Sequence, residues 1–123
     1  MAACSLRIPA DSAQVRVARL VATAAARRCG LTEDDVDDVR LAGGEAVGRA
    51  VVRHERAGAA AGVDVRIVDS DRDFVIEVRD SGAADDPGMA MAVIRALVPG
   101  TEVTWPPEGG QVLRMSWSRP ETG

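Results

Sequence analysis

The sequence predicts an α+β fold: a two-layer sandwich with three helices on one face of a mostly antiparallel sheet. Three observations predict it. Two helix-period segments stand together early in the chain, alternating segments come in pairs around short turns, and no stretch between them has a linker's composition. The chain of 123 residues has room for one domain, read as spanning 1–123 with a tail that frays from about Ser118. Hydrophobic residues at 46% and charged residues at 28% suit a packed core of that size.

The elements follow in order. SLRIP at 5–9 reads as a first strand ended by proline. Asp11 or Ser12 caps a helix running to about Cys29, with Gly30 as its stop, and Val15, Ala18, Leu20, Val21 and Ala25 on its apolar side. Thr32 caps a second helix whose first turn carries Glu33, Asp34 and Asp35, where the helix dipole favours anions. Val36, Val39, Ala50 and Val51 continue its core pattern to about His54. The period then switches. Val63, Val65 and Ile67, then Phe74, Ile76 and Val78, make a hairpin around the turn at 69–72. A polar loop at 81–88 leads to a third helix at 89–98, stopped by Pro99-Gly100. A second hairpin pairs 101–105 with 111–117 around PPEGG.

Composition excludes several function classes. There is no Lys, Asn or Tyr, all fifteen basic residues are Arg, and His54 is the sole histidine. A Walker-type phosphate loop and a Schiff-base enzyme both need Lys. Cys4, Cys29 and one His cannot assemble an ordinary four-ligand zinc site or a disulfide framework, so no metal site is expected. A net charge of −4 argues against a nucleic-acid partner. No apolar run approaches the ~20 residues of a membrane span, and no signal peptide is evident; the chain reads as cytoplasmic with no membrane partner.

Three stretches could carry chemistry. In GEAVGRA at 44–50, Glu45 and Arg49 are four apart on one helix face, where they can form a surface ion pair. Gly43, Gly44 and Gly48 each cost a helix ~1 kcal/mol against Ala, which points to close approach by something else. Asp80-Ser81-Gly82 leaves a strand end and is followed by Asp86-Pro87-Gly88. Glu108-Gly109-Gly110 separates the last two strands. Singly, each is a turn or a surface pair.

In this order and spacing, from Leu6 to Trp117, they resemble one family: the anti-sigma factor/serine-protein kinases of the histidine-kinase-like (GHKL) ATPases. The Leu6 to Ala10 start, the Gly30-Leu31 break, the helix from Glu45 to Ala50, Asp80-x-Gly82, Asp86-Pro87, the helix AVIRAL at 92–97 and Gly109-Gly110 carry the resemblance. It implies the histidine-kinase-like ATPase fold. It also implies a general base at Glu45, an adenine site at Asp80 and Gly82, and a lid glycine at Gly88, with ATP and magnesium as cofactors. The sequence departs from that pattern at four contacts. The magnesium-holding Asn is Arg49, whose cation repels the metal; the second glycine of the adenine motif is Ala84; a lid glycine is Ala90; and the small hydroxyl residue after Gly110 is Gln111.

The altered site favours a binding module without nucleotide chemistry, an anti-sigma-type regulator of transcription that engages a sigma factor and/or an anti-anti-sigma (STAS-domain) protein. The alternative is an active ATP-dependent serine-protein kinase acting on an anti-anti-sigma factor, with the Arg49 fork holding phosphate directly. A third reading keeps the family's shape with unrelated partners. The resemblance places the partner face on the first two helices and implies a homodimer. Arg16, Arg19, Arg27 and Arg28 on one helix and Asp34, Asp35, Asp37 and Asp38 on the next would steer a charged partner, Arg16 and Arg19 being the candidate contacts.

Overall fold

The structure is a computed structural model that describes residues 2–82 and 88–120. Five strands form one sheet in the order β1-β2-β3-β5-β4: β1 Ala2–Ile8, β2 Val63–Asp69, β3 Asp73–Asp80, β5 Gln111–Ser118 and β4 Glu102–Thr104. Every pairing is antiparallel. Three helices, α1 Val15–Arg28, α2 Glu33–Ala57 and α3 Gly88–Leu97, cover one face. The predicted sandwich is the observed one.

Alternation along the strands decides which face is covered. Val63, Val65 and Ile67 on β2, Phe74, Ile76 and Val78 on β3, and Leu113, Met115 and Trp117 on β5 are all buried. In the registers, Val65 pairs with Val78 and Val78 with Leu113, so apolar side chains form continuous rows across the sheet. Phe74 and Trp117 are direct partners whose rings meet at a centroid distance of 6.0 Å and a tilt of 52°. Arg66, Glu77 and Arg79 take the other face, where they are exposed or half-buried.

The helix caps match the sequence. Asp11 accepts from the Ala13 amide at 3.0 Å and starts a short 3₁₀ turn, Ser12–Gln14, before α1. Thr32 Oγ1 accepts from the Asp35 amide at 3.1 Å. Gly58, at φ 63°, ends α2 about one turn later than expected, its amide bonding Glu55 and the next amide bonding His54.

Some expectations are corrected. Leu20 does not face the core; it is 57% exposed. The inward face of α1 is instead Ala18, Ala22 and Ala26, because α1 and α2 pack through their smallest residues. A Cβ on Gly43 would sit 4.0 Å from that of Ala22, and one on Gly44 would sit 3.4 Å from Cδ of Arg19. Both are ordinary van der Waals distances, so alanine would fit at either position, and the packing does not by itself require the two glycines. Gly48 has open space beside it and borders a cleft instead. The first strand begins at Ala2, three residues early, and the fourth is only three residues long. Fraying from Ser118 is not what the structure has. β5 includes Ser118, and Arg119 ties down the next residue: its amide bonds Arg72, and its guanidinium bonds Asp69 at 2.9 Å, the Ser70 carbonyl at 2.7 Å and the Cys29 carbonyl at 3.0 Å. Residues 121–123, and the loop positions Ala84, Asp86 and Pro87, lie outside the described residues.

The two cysteines differ sharply. Cys4 is exposed on β1, whereas Cys29 is buried and donates to Asp69 at 3.2 Å. Burial, then the hydrogen bond to Asp69, push the Cys29 thiol up to about 11. The raised value means folding favours the neutral thiol. That contribution is complete below the ordinary thiol value near 9 and is lost as pH rises through about 11. A maleimide or disulfide reagent at pH 8 is therefore expected to modify Cys4 rapidly and Cys29 only on unfolding, as read by intact mass. Equal labelling rates would contradict the buried, hydrogen-bonded thiol.

No helix among the described residues is long and apolar enough to cross a membrane.

Candidate functional site

Between α2 and the start of α3 lies an open cleft of about 580 Å³. Glu45, Gly48, Arg49 and Arg53 recur at three- and four-residue intervals on α2, so helical periodicity brings them to one stripe along its wall. Gly88, Met89 and Ala90 form the facing wall, and Ser12 and Val15 close one end. Glu45, Arg49 and Gly88 are thus brought together. Ala90 is helical, as the sequence implies.

Asp80 and Gly82 lie elsewhere. They border a second depression of about 570 Å³ with Glu108, Gly109 and Gly110. Between the two spaces stands an ion pair buried on both sides. Arg53 Nε donates to Asp80 Oδ2 at 3.0 Å, with the side chains 5% and 3% exposed. Arg53 Nη2 donates to the Gly82 carbonyl at 3.1 Å, and the Gly82 amide donates to Asp80 Oδ1 at 2.9 Å. Each carboxylate oxygen of Asp80 therefore already accepts a hydrogen bond from within the protein. The turn is packed hard against α2: a Cβ on Gly82 would lie 2.7 Å from Cβ of Arg53.

One residue further along α2, His54 secures the same turn. Its Nε2 accepts from the Ser81 amide at 2.7 Å, and its Nδ1 lies 2.8 Å from the Ala61 carbonyl. An amide can only donate and a carbonyl only accept, so the network assigns a neutral ring with its proton on Nδ1. Gly110, at φ 77°, presses on the other side of the turn. A Cβ there would collide with the Asp80 carbonyl oxygen and reach within 3.2 Å of Ser81 Cα.

Arg49 also turns inward. Its Nη1 donates to Gln111 Oε1, and both residues are buried. Glu45 remains exposed and takes no part in an ion pair among the described residues, so the expected Glu45–Arg49 surface pair does not form. Through Gln111, the register partner of Asp80, Arg49 reaches the Asp80 end of the sheet. Sequence reasoning passed over Arg53 and gave His54 no role. A signal existed: Arg53 follows Arg49 by four residues and borders the apolar face of Ala46, Ala50 and Val51, where a cation needs a buried partner.

Among the described residues, no group of three or more His, Cys, Asp or Glu could hold a metal ion. The exposed basic residues Arg16 and Arg19 lie on α1, outside both depressions.

Residues 8–117 match the family model of the histidine kinase-like ATPase domain. The chain belongs to that family. No curated protein sequence matches this histidine kinase-like ATPase domain. Twelve solved chains do. Among them is the crystal structure of the RsbU and RsbW domains of Rv1364c from Mycobacterium tuberculosis, similar at a TM-score of 0.75 and 21% sequence identity. The match covers 98% of this chain and 33% of that one, so the chain spans about a third of the length of the protein it resembles. At that identity the likeness is one of fold.

Proposed function

We propose that this histidine kinase-like domain is an anti-sigma-type regulatory module that controls transcription by protein contact, with its nucleotide site closed. One observation carries the reading. The carboxylate at the adenine position, Asp80, is buried and held by Arg53 and the Gly82 amide. Each carboxylate oxygen keeps a second lone pair, but the side chain is 3% exposed and shut between Arg53 and the Gly82 turn, so an adenine amino group would have to move these groups aside to reach it. The magnesium position holds Arg49, a cation already engaged by Gln111. These residues do not fit magnesium-ATP.

Isothermal titration with magnesium-ATP is expected to show no binding below millimolar concentration. A micromolar dissociation constant would overturn the closed-site reading and favour the alternative, a serine-protein kinase with Glu45 as its base.

The partner reading, a sigma factor and/or an anti-anti-sigma (STAS-domain) protein, rests on the exposed arginines of α1 and on the fold shared with a structure that includes an RsbW domain. Arg16 and Arg19 are exposed, and no ion pair among the described residues holds either of them. On α2, Asp34 and Asp37 are also exposed, although Asp37 already pairs with Arg40 at 3.0 Å. Rim charges act mainly on encounter and orientation, so reversing two of them to Glu should weaken partner binding about tenfold or more. Thermal stability should stay within about 2–3 °C, because neither arginine supports the core. Unchanged affinity of the Arg16→Glu/Arg19→Glu protein for every partner recovered with wild type would remove this surface as the interface.

A further inference from the structure

We propose that the depression at the Asp73 end of the sheet binds a basic peptide segment, with one arginine side chain seated among Asp35, Asp38 and Asp73 and a neighbouring peptide carbonyl accepting from the Trp117 indole. β3 runs from Asp73 to Asp80, so this site and the closed one lie at opposite ends of one strand, about 23 Å apart at the usual rise per residue. The depression measures about 510 Å³. Asp35 and Asp38 reach it from the first two turns of α2, and Asp73 from the start of β3. Leu97, Pro99 and Trp117 give it apolar surface, and no basic residue lines it. It is separate from the α1 surface argued above, since neither Arg16 nor Arg19 borders it.

The charges there are uncompensated. All three aspartates are half-buried, and no ion pair among the described residues engages them. Asp37, outside the depression, does pair, with Arg40 at 3.0 Å. Asp35 and Asp38 are three apart on α2, so they are neighbours of like charge. Such a cluster alone marks no ligand. The second observation is the indole. Trp117 is 7% exposed, and its Nε1 is buried without a hydrogen-bond acceptor among the described residues. That N–H can only donate, so a ligand that satisfies it must bring an acceptor.

Together the two observations describe the ligand: a cation for the carboxylates and a neutral acceptor for the indole. A metal ion does not fit, because no three acidic side chains among the described residues could hold one. The carboxylates are set wider, which suits a planar guanidinium with its fork of donors. The aliphatic stem of an arginine can lie on Leu97 and Pro99. A polyamine has no acceptor to offer the indole, and free arginine brings a carboxylate that three aspartates repel. A peptide offers both groups in one short stretch. The walls are held in place for it. The Ser70 amide donates to the Asp73 carbonyl at 2.9 Å, Thr101 Oγ1 donates to the Val98 carbonyl at 2.6 Å, and a Cβ on Gly100 would lie 2.7 Å from Ser116 Oγ. α3 also ends here, where its dipole is negative.

The test is a proton–nitrogen NMR titration of the full chain with the blocked peptide acetyl-Ala-Arg-Leu-amide, following the Trp117 indole resonance. Of the two tryptophans, Trp105→Phe removes the other signal. The expected result is a saturable downfield shift of the Trp117 signal with a dissociation constant of about 1 mM. Replacing the arginine of the peptide by neutral citrulline should weaken binding about tenfold or more, and so should Asp38→Asn/Asp73→Asn in the protein. That variant should keep or raise its thermal midpoint, because the replaced carboxylates hold no ion pair and repel one another's neighbours. Arg16→Glu/Arg19→Glu should bind the peptide as wild type does, so failure of this site and failure of the α1 surface are read separately. The proposal is overturned by the lack of a saturable shift up to about 10 mM peptide, by equal affinity for the citrulline peptide, or by binding that Asp38→Asn/Asp73→Asn leaves unchanged. Saturation of the Trp117 signal by spermine or magnesium chloride at lower concentration overturns it as well.

Discussion

Replacing Arg53 by Met is expected to lower the unfolding free energy of the domain by about 3–5 kcal/mol, the usual loss when one partner of a buried ion pair is removed. The reason is what remains. Asp80 would keep its amide bond from Gly82 but lose the cation that compensates its charge in a site where its side chain is 3% exposed. The Gly82 carbonyl would lose its guanidinium donor as well. Urea titration followed by Trp fluorescence is a suitable measurement, since Trp117 sits in the core beside Phe74. The double replacement Arg53→Met/Asp80→Asn should recover a large part of the loss, because it removes the stranded charge rather than the pair's net contribution. A loss below about 1 kcal/mol for the single variant, typical of a solvent-exposed pair, would show that the pair does not close the site.

Gly110→Ala should cost a comparable amount, roughly 2–5 kcal/mol, by a different mechanism. Two penalties combine. A non-glycine residue at φ 77° costs about 1–2 kcal/mol, and overpacking adds about 1–3 kcal/mol or more where the neighbour cannot move aside. Here the neighbour is the backbone carbonyl of Asp80, anchored by β3 on one side and by the His54–Ser81 hydrogen bond on the other. Gly109→Ala is the control. Gly109 also has a positive φ, 102°, but nothing lies within 4 Å of where its Cβ would be. It should lose only the conformational part, about 1–2 kcal/mol. If the two variants unfold at the same denaturant concentration, the close approach at Gly110 is not a constraint on the fold.

The residues of the site differ in how far local sequence could reveal them. Glu45, Arg49 and the helix that carries them were legible because helical period and caps are local: Thr32 bonds an amide three residues away, and an amphipathic stripe repeats every three to four residues. Asp80 and Gly82 were legible as a turn at a strand end. Their occupation was not, because the donor comes from Arg53, 27 residues earlier in the chain. Leu20 went wrong for a related reason. Its position fits an apolar face, but the side of α1 turned to α2 is the one bearing Ala18, Ala22 and Ala26, which leaves Leu20 outside the contact. The tail went wrong because Arg119 finds Asp69 and Cys29, 50 and 90 residues away.

By itself the sequence determined the order of elements, the faces of the strands, the caps of the helices and the family. All of these follow from spacings of a few residues, where backbone geometry leaves two periods to choose between. Only the tertiary structure decided that two arginines fold inward from α2, that Asp80 is shut behind one of them, and that β1 stands at the edge of the sheet. Those outcomes depend on which charges desolvation forces into pairs, and on the order in which distant strands pair. Neither is encoded in the residues near them in the chain; both appear only when distant segments compete for the same space.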